Sequence, residues 1–370
     1  MPSTGVVYVH RGTTSDRAAH DHATCTEIAR RLAALKGYRF AGDYEESAAV
    51  AGDRYFVPTD TLIGTHNANA LGIRGEHHLF GGVAPHAFVA TKSISHPVAD
   101  DAKCVPQGWS TQFAIDAGDA VLAGFSAFCL DDALRAGERL LALGPVRIKR
   151  ALGIGGSGQT VAPDRHALAQ ALAGIDPDEL AEFGIALEQD LRDVTTRSIG
   201  QVRIDEIVAS YCGTQRLVLN NDGEQVYGGS DLLVARGDFD ALIELGHPPQ
   251  MRRAIEQARA YDAAAFRCFA GLFASRRNYD VAQGRDARGR TLSGVLEQSW
   301  RVGGASSAEV EALTAFRADP ALRAVRATST EAYGANVRVP AHAVVYYEGV
   351  DDRAGPLTKY TVVEAHGDAR

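Results

Sequence analysis

Residues 144–161 read Gly144-Pro-Val-Arg-Ile-Lys149-Arg-Ala-Leu-Gly-Ile-Gly-Gly-Ser-Gly158-Gln-Thr-Val161. A short β-branched run ends at a lysine, and a glycine-dense turn follows before the chain returns to apolar residues. Glycines leave backbone N–H groups uncovered and let the chain bend closely around phosphate oxygens, while the lysine supplies a cation. The pattern indicates a site for a nucleoside triphosphate.

Other glycine-rich sites fit this stretch less well. The letters Gly153-Ile-Gly155-Gly-Ser-Gly158 satisfy the G-x-G-x-x-G pattern of dinucleotide-binding loops, which needs a helix that starts in the loop. The residues Gln159-Thr-Val-Ala-Pro163 disfavour an immediate helix. The acids about 20 positions on, in Asp176-Pro-Asp-Glu179, open a helix instead of closing a strand. A Walker-type loop is disfavoured because no Gly-Lys-Ser/Thr follows at the required spacing, and a kinase loop because no catalytic-loop or Asp-Phe-Gly counterpart appears downstream. A plain glycine-rich surface turn between two strands remains the alternative.

Composition limits the classes of protein to which the chain can belong. With 370 residues it can bury a large core in two or three lobes, and 45% hydrophobic and 23% charged residues are typical of a globular protein. A net charge of −8 argues against a nucleic-acid partner, and no apolar run reaches membrane-spanning length. The five cysteines form no Cys-x-x-Cys pair, which favours reduced thiols in a cytoplasmic protein over disulfides or a zinc site.

The pattern of apolar residues predicts a small α/β lobe at the N-terminus, followed by a mixture of helices and strands. After residue 100, helices are predicted at 131–143, 165–174, 177–183, 250–269, 307–316 and, for the most part, 320–333. Strands are predicted at 185–191, 198–204, 207–211, 231–235, 273–281, 293–301, 343–347 and 358–364. Without an internal repeat or a low-complexity linker, we expect the lobes to interlock.

The predicted strand pair at 273–301 carries the second informative pattern. Side chains alternate across a strand, so each strand presents three polar residues on one face: Arg276, Asn278 and Asp280 on the first, and Glu297, Ser299 and Arg301 on the second. Two carboxylates thus come together across a hairpin, where they repel each other unless a cation or a proton lies between them. Oxygen ligands of this kind suit Mg²⁺ that bridges polyphosphate oxygens. A charged hairpin face, neutralised by its own arginines, is the alternative.

In this order, the two features resemble the ATP-grasp superfamily of carboxylate–amine ligases. That superfamily places a strand-end lysine before a glycine-rich turn, then a hinge strand with a glutamate, and then a metal-binding hairpin. The resemblance covers residues 92–304. It implies nucleotide contacts at Lys92, Lys149, Gly155, Gly156, Ser157, Gly158, Glu188 and Leu191, metal ligands at Asp280, Glu297 and Ser299, and catalytic roles for Arg301, Arg276 and Lys149.

The resemblance also implies an architecture, which is an α/β (α+β) fold of the ATP-grasp type. We expect an N-terminal α/β lobe at 1–95, a subdomain with the glycine-rich lid at 96–183, and a C-terminal subdomain at 184–370 with the metal hairpin and the closing strands. The chain as a whole is similar to a bacterial branch of the superfamily that is classed as a domain of unknown function.

The activity that the resemblance implies is an ATP- and Mg²⁺-dependent ligation of a small-molecule carboxylate to an amine through an acyl phosphate, with a thiol as a less favoured nucleophile. No nucleic acid or membrane is expected as a partner, and a homodimer is the assembly considered. Two positions depart from the family pattern: Ser299 replaces a metal-binding asparagine, and Thr195 and Thr196 lie where an acidic ribose contact is usual. A phosphotransferase on the same scaffold and a non-catalytic nucleotide-binding or sensing protein are the alternatives.

Overall fold

The computed structural model describes residues 5–12, 18–48, 52–153 and 158–366. Three of the predicted nucleotide contacts, Gly155, Gly156 and Ser157, lie outside these ranges. Within them, no helix is both long and apolar enough to cross a lipid bilayer.

The N-terminal lobe is a small parallel sheet with one long helix. Its elements are β1 (Val6–His10), α1 (Ala19–Lys36), β2 (Arg39–Asp43) and β3 (Arg54–Pro58), in the strand order β2-β1-β3. Strand β1 pairs in parallel on both sides and is buried along Val6–Val9, as expected of a central parallel strand. The chain then forms β4 (Leu62–Ile63), α2 (Thr65–Ala70) and β5 (Gly82–Ala84).

A second, four-stranded antiparallel sheet has the order β6-β9-β7-β8, and we call it the lid sheet. Its region contains α3 (Thr111–Ala117), β6 (Gly124–Ala127), α4 (Leu130–Leu141), β7 (Val146–Arg150), β8 (Gln159–Ala162), α5 (Arg165–Ala173), α6 (Pro177–Phe183) and β9 (Ile185–Gln189). The expected start of α6 is confirmed: Asp176 accepts hydrogen bonds from two N–H groups of the first turn, and Pro177 follows it. Strand β9 belongs to the lid sheet although it lies beyond residue 183.

The largest sheet is antiparallel and has the order β15-β14-β10-β11-β12-β16-β18-β17. Its region contains β10 (Arg192–Ile204), β11 (Ile207–Leu219), β12 (Gln225–Arg236), α7 (Phe239–Glu244), α8 (Pro249–Cys268), β13 (Phe273–Ala274), β14 (Arg276–Arg285), β15 (Thr291–Ser299), α9 (Ser306–Ala318), β16 (Ala324–Tyr333), β17 (Val344–Asp351) and β18 (Gly355–Ala365). The short β13 instead pairs with β5, which ties the C-terminal part of the chain to the N-terminal lobe.

Two apolar cores cover the two faces of the large sheet. Helix α8 buries Ile255, Ala258 and Tyr261 against one face, while α9 and α1 bury Leu313, Phe316 and Leu32 against the other. The edge strand β15 lies next to the lid sheet: Val121, shortly before β6, forms a bridge with Val295. Of the nucleotide and metal residues expected from the sequence, those within the described ranges lie along this junction.

One predicted element is wrong. We expected a largely helical segment at 320–333, but Ala324–Tyr333 forms β16 between β12 and β18. Alanines at 324, 327 and 332 favour a helix locally, yet Val325, Ala327 and Ser329 are buried at every second position, which is the period of a strand. Pairing on both sides outweighs the weak helical propensity.

Candidate functional site

The glycine-rich segment connects the two strands of a hairpin. Lys149 on β7 pairs with Gln159 on β8, and the N–H of Arg150 donates to the carbonyl oxygen of Gly158 at 3.0 Å. Gly158 has a φ of +68°, which lies in the left-handed region that a glycine adopts without strain. The hairpin therefore places Lys149 at the base of the turn that was expected to cover phosphates.

Lys149 connects the lid sheet to the metal hairpin. Between Asp280 and Val281 the pairing of β14 with β15 shifts from Glu297 to Val295, so Leu296 is the extra residue of a β-bulge. A bulged residue is left out of the ladder. The carbonyl oxygen of Leu296 instead accepts a hydrogen bond from Lys149 Nζ at 2.9 Å. The bulge thus holds the metal strand against the lid lysine.

Lys149 also takes part in a buried cluster of charged and polar groups. Its Nζ lies 3.0 Å from Glu188 Oε2 on the neighbouring strand β9, and His96 Nε2 lies 3.2 Å from the same oxygen. Lys149 and Glu188 are each 1% exposed, and His96 is fully buried. Burial opposes ionisation of Glu188, but Lys149 and His96 outweigh it and lower the pKa of this carboxyl to about 2. The cluster therefore holds an ion pair at neutral pH.

Lys92 bridges the lid and the metal hairpin directly. It begins a single 3₁₀ turn, Lys92–Ser95, whose N-cap Thr91 accepts a hydrogen bond from the N–H of Ser93. The Lys92 ammonium donates to the carbonyl oxygen of Gly153, at the start of the lid, with a distance of 2.8 Å. It also lies 2.7 Å from Glu297 Oε2. The two predicted lysines and one predicted metal ligand thus converge on one place.

The two predicted metal carboxylates are direct cross-strand neighbours, since Asp280 on β14 pairs with Glu297 on β15. Asp280 Oδ1 accepts hydrogen bonds from Gln215 Nε2 at 3.0 Å and from Ser198 Oγ and Asn278 Nδ2, each at 3.2 Å. These bonds favour the ionised form. Burial and the charge of Glu297 have the larger effect, and they raise the pKa of Asp280 to about 6.

The donor set at this pair suits a magnesium ion. Two carboxylates on adjacent strands provide hard oxygen ligands, and the raised pKa of Asp280 indicates negative charge that a cation relieves. The third expected ligand is engaged elsewhere, because Ser299 Oγ accepts a hydrogen bond from Arg276 Nη1 at 3.2 Å. The geometry therefore supports Asp280 and Glu297 as ligands more strongly than Ser299.

Arg276 occupies a different position from the one expected of a catalytic residue. Its guanidinium is 1% exposed and binds Glu309 on α9 through Nε, at 3.0 Å from Oε2, and Nη2, at 2.8 Å from Oε1. Its Nη1 donates to the carbonyl oxygens of Ser299 and Arg301 at 3.3 and 2.6 Å. These contacts correct the expectation of a catalytic role for Arg276, since all its nitrogens are directed at protein groups. It instead positions the segment that contains Ser299 and Arg301.

The remaining predicted residues border the same junction. Arg301 follows β15, is half-buried, and donates through Nη1 to the carbonyl oxygen of Val302 at 3.0 Å. Leu191, just after β9, packs in a small apolar cluster with Leu122 and Ala282. This cluster lies where the lid sheet and the large sheet meet. All three side chains are buried beside the end of the predicted hinge strand.

Sequence reasoning missed three residues of the site: His96, Gln215 and Glu309. His96 is four residues after Lys92 and directly follows the same turn, and this spacing is the sequence signal that points to it. Glu309 lies on the face of α9 that packs on the sheet, and a buried glutamate on such a face needs a cationic partner. Nothing in the local sequence of Gln215 distinguishes it from an ordinary strand residue.

Comparison with known proteins identifies the family. A family described as "Protein of unknown function (DUF3182)" matches residues 7–361. None of the curated proteins compared with the chain matched it. Among solved structures, the chain is similar to a biotin carboxylase from Campylobacter jejuni in complex with β,γ-ATP, with a TM-score of 0.53 and 10% identity over 98% of this chain and 88% of that one.

Two further solved structures are similar at lower TM-scores. One is a phosphoribosylamine–glycine ligase from Thermotoga maritima, with a TM-score of 0.48 and 12% identity over 98% of this chain and 92% of that one. The other is a D-alanine–D-alanine ligase from Bacillus anthracis in complex with ATP, with a TM-score of 0.44 and 12% identity over 86% of this chain and 100% of that one.

With a TM-score of 0.53 and 10% identity, the likeness to the biotin carboxylase shows the fold alone. That fold is the mixed α/β fold of the ATP-grasp ligases, as the lysine-glycine segment and the acidic hairpin predicted. The match to the family model extends over nearly the whole chain. The chain therefore belongs to the DUF3182 family, and its fold is of the ATP-grasp type.

Proposed function

We propose that this protein is an ATP- and Mg²⁺-dependent ligase that activates a small-molecule carboxylate as an acyl phosphate and joins it to an amine. One observation carries the proposal: Lys92 contacts both the start of the lid, at Gly153, and the metal carboxylate Glu297. The groups needed to neutralise a triphosphate thus meet where the two sheets meet. Five thiols, none in a disulfide within the described ranges, fit the cytoplasm as its location.

In the first step, a substrate carboxylate oxygen attacks the γ-phosphorus of ATP, and the bond to the bridging oxygen of ADP breaks. Lys92 and Lys149 are placed to bind phosphate oxygens and to offset the charge on the transferred group. Asp280 and Glu297 would hold Mg²⁺, which when bound neutralises charge on the polyphosphate. Preorganised contacts of this kind are each worth about 3 kcal/mol in a transition state.

The resting positions of the lysines indicate what must change when ATP binds. Lys92 would exchange Glu297 for a phosphate oxygen. Lys149 would either exchange the Leu296 carbonyl for a phosphate oxygen or share its ammonium between Glu188 and the phosphate. Glu188, held by His96, keeps the Lys149 ammonium in place during this exchange. The apolar cluster around Leu191 would contact the adenine.

In the second step, the amine attacks the acyl carbon, and the phosphate leaves together with a proton from the nitrogen. Arg301, at the end of the metal strand, is the residue proposed to hold the acyl phosphate and the oxyanion that forms on attack. Arg276 would keep the Arg301 backbone in place through its hydrogen bond to the carbonyl oxygen of that residue. Closure of the lid would exclude water, which otherwise hydrolyses the intermediate.

Screening for product release tests this proposal. The purified chain, with ATP and Mg²⁺, is incubated with panels of small carboxylic acids, each with and without a panel of amines. We expect ADP and free phosphate in equal amounts, dependent on both an acid and an amine. ADP without free phosphate would instead identify a phosphotransferase, and thermal stabilisation by NAD but not by Mg-ATP would contradict the nucleotide assignment.

One observation favours a second candidate, a nucleotide-binding protein without ligase activity. The hydroxyl of Ser299 is shorter than the family's asparagine side chain and already accepts a hydrogen bond from Arg276. Both features weaken a second metal site. Thermal stabilisation by Mg-ATP together with no ADP release across the whole acid and amine panel would support this candidate.

Replacing Asp280 with asparagine is expected to stabilise the metal-free protein at pH 7 while it abolishes turnover. The pKa of Asp280 rises from 3.8 to about 6 on folding. Between these two pH values the folded chain therefore holds a proton that the unfolded chain has already lost. Its contribution to stability is therefore present below about pH 4 and is lost as the pH rises through about 6. With allowance for partial exposure, the gain should be about 1–2 kcal/mol.

Urea unfolding of the wild type and of Asp280→Asn at several pH values measures this effect. The two unfolding free energies should agree near pH 4, separate between about pH 4 and pH 6, and differ by a constant amount above that range. The exposed Asp240→Asn serves as the control, because Asp240 pairs only at the surface with Arg259. An Asp280→Asn variant that is less stable than the wild type at pH 7 would contradict the assigned charge repulsion.

A further inference from the structure

A second cluster of potential metal ligands lies in the lid subdomain, away from the nucleotide site. The Sγ atoms of Cys104 and Cys129 and a carboxylate oxygen of Asp132 all lie within 4.8 Å of one another. Among the described residues, this is the one group of three such side chains close enough to share an ion. Four ligands at about 2.3 Å around a tetrahedral zinc ion place two sulfurs roughly 3.8 Å apart, so only a small contraction is needed.

Backbone hydrogen bonds hold the three side chains in place. Cys129 is the N-cap of α4, and Asp132 is on the first turn of the same helix. Asp132 Oδ2 accepts hydrogen bonds from the N–H of Lys103 at 2.9 Å and from the N–H of Cys104 at 2.8 Å. The aspartate thus fixes the loop that contains the second thiol. Hydrogen bonds to a ligating carboxylate are the usual support of a metal site.

The charges at the cluster favour a divalent cation. Two thiolates and one carboxylate carry a charge of −3, and Arg135, which forms an ion pair with Asp132, contributes +1. A divalent ion therefore makes the site neutral, which matters because Asp132 is only 2% exposed. A thiophilic cation displaces the thiol protons on binding.

The cluster is accessible from outside. Cys104 and Cys129 both line a cleft of about 590 Å³ that also contacts Pro106, Leu130 and Leu180. An ion can enter through this cleft, and water can occupy a fourth position. Three protein ligands with one open position is a known arrangement for zinc, whereas soft sulfur ligands disfavour magnesium and calcium.

We propose that Cys104, Cys129 and Asp132 form a binding site for a thiophilic divalent cation of the zinc class, distinct from the magnesium carboxylates at Asp280 and Glu297. The ion fixes the loop at residues 103–106 to the start of α4. This site is independent of the proposed ligase activity.

Zinc titration of the full-length chain tests the site. The reduced protein is freed of metal, and Zn²⁺ is added against a chromophoric chelator of known affinity. We expect one equivalent of zinc to bind. Cys104→Ser and Cys129→Ser should each weaken zinc binding by at least about a hundredfold, because removal of an outer-shell partner alone can cost that much affinity. Co²⁺ should give a thiolate charge-transfer band that both variants lose.

Cys268→Ser is the matched control, because Cys268 Sγ also lies beside one carboxylate oxygen, 3.4 Å from Asp116 Oδ2, but has no second thiol there. This variant should bind zinc as the wild type does, and the metal-free variants should all unfold at the wild-type temperature. Equal zinc affinity in Cys129→Ser and the wild type would overturn the proposal. A disulfide between Cys104 and Cys129 would also overturn it, if that disulfide prevents zinc binding until it is reduced and reforms readily in air. The two cysteines would then be a redox couple.

Discussion

Replacing Glu297 with glutamine should lower ATP turnover by at least about 10²–10³-fold, which is the loss seen when one preorganised electrostatic contact is removed from an active site. The expected loss has two causes. The variant removes a carboxylate from the pair that Asp280 completes across the hairpin, and it removes the partner that lies 2.7 Å from Lys92 in the resting protein. Turnover is measured as ADP release under saturating ATP and Mg²⁺.

The fold of the Glu297→Gln variant should be unchanged, because the Glu297 side chain is 33% exposed and glutamine has nearly the same shape. The melting temperature without nucleotide therefore serves as an internal check. Glu364→Gln, an exposed carboxylate on β18 of the same sheet, is the matched control and should keep full turnover. Wild-type turnover by Glu297→Gln would refute the role of this residue at the metal.

The second large effect is expected at the buried pair of Arg276 and Glu309. Glu309→Leu leaves a guanidinium that cannot lose its proton in the core, and breaking such a pair from one side costs about 3–5 kcal/mol. That is a large part of the total stability of a typical domain. Urea unfolding at pH 7 should show a decrease of this size in the free energy of unfolding.

The double variant Arg276→Met, Glu309→Leu should recover most of the lost stability, since well-packed apolar side chains replace a buried ion pair at little cost. Arg259→Ala is the surface control, because Arg259 Nη2 lies 3.1 Å from Asp240 Oδ2 and both side chains are well exposed. This variant should lose only about 0–1 kcal/mol of unfolding free energy. If Arg276 only positions Ser299 and Arg301, the double variant should retain more turnover than Glu297→Gln. Full stability with no turnover would instead restore a direct catalytic role for Arg276.

Several parts of the site were predictable because they depend on local chemistry. The lysine-glycine segment predicted a turn between two strands, and it forms the connection between β7 and β8. The period of two along β14 and β15 predicted that Asp280 and Glu297 would be cross-strand neighbours, and they are. In each case a pattern a few residues long determines the direction of a side chain, so no knowledge of distant parts of the chain is needed.

Other features depend on how distant elements pack. The extra residue in β15 makes the Leu296 carbonyl available to Lys149, and no sequence signal marks that bulge. The proximity of Cys104 and Cys129 follows from the packing of a loop on the start of α4, and their separation of 25 residues matches no short cysteine motif. β16 is a strand because strands lie on both sides of it, although its alanines favour a helix.

The amino-acid sequence by itself determined the fold class and the cross-strand pair of carboxylates, because each of these is encoded by residue type and short-range periodicity. Only the tertiary structure decided that Arg276 binds Glu309 instead of a substrate, and that Glu188 binds Lys149 and His96. The physical reason is that a buried charge must find a partner wherever the fold supplies one, and such partners come from elements far apart in the chain.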